Sequence, residues 1–213
     1  AFSLMLNYLS FIISASFRLI FLKKDYDHIF VFESSPITVC LPAIFAKKVL
    51  RFKAPISMWV LDLWPDYFFD TLRIQRNPII GNFLDTLCKF IYKNCNNILL
   101  ISEGFQDSVK RLVPNHNGLI YFPNWAEKIF EDSKKNPSIK SKKRKILFAG
   151  NVGRLQNLEN LILAFYDLKR LNKNINELIE VEIIGDGSAK KSLQKITKEK
   201  NLNDIIKFTG SLP

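Results

Sequence analysis

The chain has 213 residues, of which 47% are hydrophobic and 24% are charged, a composition typical of a globular protein with a packed core. Its net charge of +11 indicates an anionic partner, and nucleic acid, an anionic membrane surface and a phosphorylated substrate are all candidates. The three cysteines, Cys40, Cys88 and Cys95, lack the spacing of zinc or redox motifs, so we expect buried thiols and no need for an oxidising compartment.

An apolar segment opens the chain. Residues 3–22 lack Gly and Pro and are predicted to form one helix, about 30 Å long. That length approaches the length of a membrane span, but the segment is interrupted by Asn7, Ser10, Ser14, Ser16 and Arg18. We therefore favour a buried or membrane-surface helix over a spanning one. Because no basic segment precedes the apolar residues, a signal peptide is disfavoured.

Strands and helices then alternate through the first half. Short apolar runs predict strands at 28–32, 56–61, 98–101 and 119–122. Helices are predicted at 35–48, 78–94 and 103–112, with Ser35 as an N-cap before Pro36 and Pro42 as a potential kink. This alternation predicts a parallel sheet with helices on both faces.

A basic segment separates the two halves. Residues 134–145 hold seven Lys or Arg and no acidic residue, which predicts a solvated linker. A nucleic-acid patch is the less favoured alternative because aromatic residues are not interleaved there. A second βαβ pattern follows, with strands at 146–149, 179–184 and 205–208 and helices at 157–171 and 188–200. Two domains are therefore predicted, at 1–133 and 134–213.

Two glycine-rich turns lie between strands and helices of the second domain. Gly150-Asn151-Val152-Gly153 follows one strand, and Gly185-Asp186-Gly187 follows the next. Small residues let backbone N–H groups approach a ligand, and a helix N-terminus favours phosphate. A parallel sheet places both turns at the edge where ligands bind in open α/β folds. The alternatives are plain tight turns and, for Asp186, a helix N-cap.

A third motif, Trp59 to Asp66, follows the strand at 56–61. It holds two tryptophans, a proline and two carboxylates within eight residues. Asp62 could orient a sugar hydroxyl or act as a base, and Trp64 could stack on a sugar or a lipid. The alternative is a structured turn with a capping Asp. Asp25-Tyr26-Asp27 instead precedes its strand and is predicted to be a surface turn at the amino edge, and no motif supports a metal site.

In order and spacing, these motifs resemble family 4 glycosyltransferases of the GT-B fold, particularly the bacterial surface-polysaccharide branch with L-fucosamine-transferase-like and colanic-acid-type enzymes. The matching segments are 7–11, 33–36, 62–66, 102–104, 123–125 with Phe130, 148–153, 185–187 and 208–210. The resemblance implies an α/β protein with two Rossmann-like domains, the first for the acceptor and the second for the sugar nucleotide. It also places parts of both domains before Ala1 and beyond Pro213, so both are expected to be incomplete and the chain alone inactive.

The resemblance also implies residue roles. Asp62 would be the catalytic residue, at a position where family members place an acceptor-side polar residue near the transferred sugar. The donor diphosphate would be cradled by Gly150, Asn151, Gly153, Arg154 and Gln156, and the nucleotide would be approached by Gly185, Asp186 and Gly187. The acceptor side would comprise Ser34, Trp64, Asp66, Ser102 and Glu103. Asn151 stands where many members carry Arg, and Gln156-Asn157 stands near a common Lys-Gly, so the cation that binds diphosphate is left open.

Family members retain the anomeric configuration and use a nucleotide-diphosphate sugar, such as a UDP-sugar, without a bound metal or cofactor. The acceptor in this branch is often a polyprenyl-diphosphate-linked sugar at the cytoplasmic face of the cell membrane. The +11 charge and the apolar opening helix suit a peripheral membrane protein there. The alternatives are a nucleotide-sugar epimerase of the same architecture and a non-catalytic basic module that binds a membrane surface or nucleic acid.

Overall fold

The computed structural model describes residues 2–72, 74–128 and 143–212. The chain divides into two compact units, Ala1–Glu131 and Asp132–Pro213, which are described separately. The predicted boundary between residues 133 and 134, most of the predicted basic linker, and Phe130 lie outside the described residues.

The first unit contains a four-stranded parallel sheet with the strand order β1-β2-β3-β4. The strands are β1 (Ile29–Glu33), β2 (Ile56–Val60), β3 (Asn97–Leu100) and β4 (Leu119–Tyr121). In the register of the first pair, Ile29 lies beside Ile56 and Glu33 beside Val60. All four predicted strands and their parallel arrangement are confirmed.

Five α-helices accompany this sheet among the described residues. They are α1 (Phe2–Leu19), α2 (Leu41–Lys48), α3 (Asp66–Leu72), α4 (Pro78–Asn94) and α5 (Phe105–Leu112). The sequence predicted the bounds of α4, whose N-cap Asn77 accepts a hydrogen bond from the Ile79 N–H. It did not predict α3. In the described part of the chain, no helix is both long and apolar enough to cross a membrane.

The helix predicted at 35–48 is wrong in its first part. A 3₁₀ turn occupies Ile37–Cys40, and α2 begins only after it. Ser35 is not the N-cap, because it adopts a left-handed backbone with φ of 67° and Pro36 takes the capping position. Pro42 lies in the first turn of α2, where its missing N–H leaves no intrahelical bond unmade, so it causes no kink.

The two faces of the first sheet differ. One face, with Val31, Met58 and Ile98, packs on α4 and neighbouring helices to form the core, and the three free cysteines are buried there as predicted. On the opposite face, Phe30 and Phe32 are 53% and 54% exposed. On this face, β1 is therefore half-exposed, whereas Trp59 of the neighbouring β2 is buried.

The second unit contains a three-stranded parallel sheet in the order β5-β6-β7, as predicted. Its strands are β5 (Arg144–Ala149), β6 (Ile179–Ile184) and β7 (Ile206–Gly210), and its helices are α6 (Leu158–Leu171), α7 (Ile175–Leu178) and α8 (Lys190–Glu199). A 3₁₀ turn, Arg154–Gln156, precedes α6, and the short α7 was not predicted. Val181, Ile183 and Phe165 belong to a core separate from that of the first unit.

Candidate functional site

The two glycine-rich turns of the second unit lie side by side at the carboxyl edge of its sheet. The Gly150 N–H donates to the Ile184 carbonyl at 3.0 Å, and the Val152 N–H donates to the Asp186 carbonyl at 2.8 Å. The turn after β5 is therefore hydrogen-bonded to the turn after β6, as the parallel-strand rule predicts.

Two positions in these turns accept only glycine. Gly185 has φ of +135°, and a Cβ there would lie 1.8 Å from the Gly150 carbonyl oxygen. Gly187 has φ of +158°, and its Cβ would lie 2.5 Å from the Val152 carbonyl oxygen. Because L-residues rarely adopt such backbones and no side chain fits the contacts, the close approach of the turns depends on these glycines.

Polar side chains hold the first turn in place. The Gln156 Oε1 accepts from the Gly153 N–H at 3.1 Å, and a Cβ at Gly153 would lie 2.8 Å from that oxygen. Gln156 therefore stabilises the turn, a role that the sequence did not indicate. Asn151 and Arg154 are exposed on the same turn, so their side chains are accessible to a ligand at this edge.

Asp186 is engaged within its own turn. Its carboxylate accepts from the Gly187 N–H at 2.8 Å and from the Lys190 Nζ at 2.9 Å. The hydrogen bond from Lys190 is the main reason that the pKa of Asp186 lies below its ordinary value. The alternative interpretation of Asp186 as the helix N-cap is wrong, because Ala189 occupies that position of α8.

In the first unit, Glu33 links the loops that follow β1 and β2. Its Oε1 accepts from the Ser35 N–H at 3.0 Å, and its Oε2 accepts from the Asp62 N–H at 3.3 Å. The Trp64 indole Nε1 donates to the Ser35 Oγ at 3.0 Å. The structure thus brings the predicted residues Asp62 and Trp64 beside the loop that carries Ser34. Glu33 was missed as a site residue, although an acid ending the apolar run Ile-Phe-Val-Phe was a visible signal.

Burial dominates the chemistry of Glu33. The side chain is fully buried, and this raises its pKa to about 8 despite the hydrogen bonds from backbone N–H groups. The Glu33 carboxyl is therefore largely protonated at neutral pH.

The remaining acceptor-side candidates are dispersed. Asp66 begins α3 and forms ion pairs with Arg76 at 3.0 Å and Arg111 at 3.4 Å, so its carboxylate joins α3 to the loop before α4 and to α5. Ser102 and Glu103 are exposed after β3, and the Ser102 Oγ accepts from the Gly104 N–H. Within the described residues, the hydrogen bonds found for Ser102 and Glu103 are local and do not connect them to Asp62.

The amino edge carries the Asp25-Tyr26-Asp27 segment, where Tyr26 stacks on Phe52 at 6.2 Å. This agrees with the prediction of a surface turn away from the carboxyl edge. Across residues 2–72, 74–128 and 143–212, no three His, Cys, Asp or Glu side chains are grouped so that they could hold a metal ion.

Comparison with known proteins finds similarity to glycosyltransferases. Residues 129–213 match the family described as "Glycosyl transferases group 1". The chain is 28% identical over 166 residues to the probable glycosyltransferase WbjE of Pseudomonas aeruginosa, covering 73% of this chain and 40% of that protein. It is 30% identical over 125 residues to the putative colanic acid biosynthesis glycosyl transferase WcaI of Escherichia coli K12, covering 54% and 29%. The chain therefore spans less than half the length of these relatives.

Solved structures give the fold. The apo lipopolysaccharide outer core galactosyltransferase WaaB matches with a TM-score of 0.57 and 15% identity over 98% of this chain and 50% of that chain. Anabaena Alr3699/HepE in complex with UDP matches with a TM-score of 0.68 and 13% identity over 92% and 51%. The fold is thus that of GT-B glycosyltransferases, of which this chain spans about half the length, and the predicted fold class is confirmed. The sequence match over residues 129–213 likewise supports the predicted type of enzyme, a glycosyltransferase.

Proposed function

We propose that this protein is a retaining family 4 glycosyltransferase that moves a sugar from a nucleotide-diphosphate donor to a glycan acceptor in surface polysaccharide synthesis. One observation carries the proposal: two hydrogen-bonded glycine turns share a carboxyl edge in the unit that matches group 1 glycosyl transferases. The name of one sequence relative refers to colanic acid biosynthesis and that of one structural neighbour to lipopolysaccharide, and both agree with this product class.

The second unit would bind the donor, in keeping with the UDP held by the HepE structure. The turn formed by Gly150, Asn151 and Gly153 would cradle the diphosphate, with the exposed Arg154 beside it and Gln156 holding the turn. Gly185 to Gly187 would lie against the nucleotide. Hydrogen-bond donors fixed in advance stabilise the negative charge of a leaving diphosphate, at about 3 kcal/mol each in well-studied oxyanion sites. No cofactor is needed for such a transfer.

The first unit would bind the acceptor. Asp62 would orient the reacting hydroxyl and Trp64 would stack on a sugar ring, beside Ser34, Ser102 and Glu103. Asp66, held by two arginines, would support this side from behind. The exposed apolar side chains of α1 and the net charge of +11 support a polyprenyl-diphosphate-linked acceptor and a peripheral position at the inner face of the bacterial membrane. Residues 1–213 alone would be inactive.

The test uses the complete gene product that contains this chain, assayed in membranes with radiolabelled UDP- and GDP-sugars and a polyprenyl-diphosphate-linked acceptor. We expect one donor to label the lipid phase. Asp62→Ala and Gly153→Val should each reduce the rate at least a hundredfold. Asp204→Ala, which removes an exposed carboxylate paired with Lys169 at the amino edge of the second sheet, should leave the rate unchanged.

Two other results would replace the proposal. Isomerisation of a free sugar nucleotide without lipid labelling would establish a nucleotide-sugar epimerase. If no sugar nucleotide binds at all, the glycine turns do not form a donor site and only the fold class stands, with a non-catalytic basic module as the remaining alternative.

A further inference from the structure

Glu33 is an unusual residue for its position. It ends β1 with its side chain fully buried against the apolar core of the first unit. In the described part of the chain, the hydrogen bonds found for its carboxyl come from two backbone N–H groups, those of Ser35 and Asp62. A buried carboxyl with no ion pair costs stability, so a hydrophobic residue would fold more easily there.

The two N–H groups belong to different loops. Ser35 follows β1, and Asp62 follows β2. The Glu33 backbone carbonyl also accepts from the Leu61 N–H at 3.1 Å, and the Trp64 indole reaches the Ser35 Oγ. The Ser35 backbone is left-handed, a conformation that a residue with a Cβ adopts only when its surroundings hold it. Glu33 therefore lies at the centre of the contacts that join the two loops.

We propose that Glu33 is a positioning residue that fixes Asp62 and Trp64 relative to each other for acceptor binding. The inference rests on the proposed function, because the two side chains matter only if this edge receives an acceptor. The carboxylate form, present above about pH 8, suits the task because each of its oxygens accepts from one loop. An amide offers a single oxygen, and its NH₂ group would face one N–H donor with another.

Because Glu33 ionises near pH 8, the link that it forms between the loops after β1 and β2 should depend on pH. The groups that face it are Asp62 from the loop after β2, Cys40 from the 3₁₀ turn, and Cys88 and Tyr92 from α4. Burial raises the pKa of Cys88 to about 12 and that of Tyr92 well above its ordinary value. The hydrogen bond with Cys95, together with burial, raises the pKa of Cys40 as well. These three groups stay neutral between pH 6 and pH 9, whereas Glu33 loses its proton there.

The test compares the wild-type complete gene product with Glu33→Gln, using kinetics and ¹⁹F NMR of 5-fluorotryptophan. Of the three tryptophans in residues 1–213, Trp64 is assigned by its Phe substitution. At pH 9, where wild-type Glu33 is a carboxylate, Glu33→Gln should move the Trp64 resonance and raise the acceptor KM about tenfold, with the donor KM unchanged. It should also abolish the titration of the Trp64 resonance near pH 8. Ser57→Ala removes a buried hydroxyl at the amino end of β2 and is the matched control, expected to change neither the Trp64 resonance nor KM.

The outcomes separate the two claims. If the wild-type protein transfers no sugar, the proposed function fails and this role fails with it. If the wild-type protein is active but Glu33→Gln leaves the acceptor KM unchanged, the positioning role alone is overturned, even if the Trp64 resonance moves. Should Glu33→Gln not fold, Glu33→Asp takes its place. It keeps both acceptor oxygens but withdraws them by one methylene, so it should raise the acceptor KM to a smaller extent.

Discussion

At Gly185 the two turns of the second unit come into contact, with no space for a side chain between them. A Cβ at this position would lie 1.8 Å from the Gly150 carbonyl oxygen on a backbone with φ of +135°. We expect Gly185→Ala to lower the free energy of unfolding by about 3 kcal/mol, because the turns must separate. Thermal unfolding followed by circular dichroism measures the loss, and calorimetric titration with UDP should show that binding is abolished.

Gly104→Ala is the matched control. Gly104 has φ of −62°, and its Cβ would meet only the Ser102 Oγ, at 3.6 Å. Its effect should stay within about 0.5 kcal/mol. If Gly185→Ala is as stable as Gly104→Ala, the two turns do not pack as closely as the structure shows.

Glu33 should make stability depend on pH. Its folded-state pKa, about 8, lies above the ordinary value of 4.5, so the unfolded chain releases this proton at lower pH than the folded chain does. The stabilisation is complete below about pH 4.5 and is lost as the pH rises to 8, by at most about 1.4 kcal/mol per pH unit. In urea unfolding at pH 5, 6.5 and 8, the free energy of unfolding should fall less steeply with pH in Glu33→Gln than in wild type.

The control for this pH dependence is Glu199→Gln, which changes an exposed glutamate paired with Lys195. Its free energy of unfolding should fall with rising pH as steeply as that of the wild type. If the free energy of unfolding falls equally with pH in wild type, Glu33→Gln and Glu199→Gln, Glu33 titrates like an exposed glutamate.

The sequence revealed residues whose role is local and missed those whose role depends on distant contacts. Gly150 and Gly185 were predictable because each follows a strand and precedes a helix. Glu33 was not, since its partner Asp62 lies 29 residues away in the chain. For the same reason, Asp66 was predicted on the acceptor side without any sign that Arg76 and Arg111 engage it.

Among the secondary-structure elements, α4 shows how a local signal fixes a helix start. The Asn77 side chain accepts from the Ile79 N–H at 2.9 Å, and Pro78 fills the first helical position. Asn77→Ala should cost about 1 kcal/mol in the unfolding free energy, because one N–H of the first turn loses its acceptor. Asn82→Ala, at an exposed position in the same helix, should be neutral or slightly stabilising since Ala favours helix. If chemical denaturation gives Asn77→Ala and Asn82→Ala the same free energy of unfolding, the N-cap contributes nothing to stability.

Helices defined by tertiary contacts escaped prediction. The start of α3 at Asp66 is held by ion pairs with Arg76 and Arg111 from elsewhere in the first unit, which no local pattern reveals. At 35–48, the Ser-Pro pair suggested a helix start, but the hydrogen bonds to Glu33 and Trp64 hold Ser35 in a left-handed turn instead.

For the whole molecule, the alternation of strands and helices was enough to predict two parallel sheets. It was not enough to predict which sheet faces are covered. The residues of β1 are apolar on both faces, a pattern typical of strands buried between two helix layers. Yet Phe30 and Phe32 are exposed while Val31 is buried. The sequence pattern shows that a sheet face is apolar enough to be buried. Only the structure shows whether another element covers it.

The net charge of +11 and the exposed apolar residues of α1 lead to a prediction about membranes. The complete gene product should bind vesicles containing phosphatidylglycerol, and release them as salt rises from 50 to 500 mM, because the attraction to anionic lipid is screened. Ile13→Asp should weaken vesicle binding about tenfold or more in a sedimentation assay, since Ile13, 69% exposed on α1, would otherwise insert.

Leu171→Asp provides the matched comparison, because Leu171 is 85% exposed at the end of α6 in the second unit. It carries the same charge change as Ile13→Asp, so any additional loss in Ile13→Asp measures insertion of α1 rather than electrostatics. If both substitutions weaken vesicle binding equally, the interaction with the membrane is electrostatic and α1 does not insert. Displacement of the protein from vesicles by double-stranded DNA at equal phosphate concentration would instead favour nucleic acid as the anionic partner.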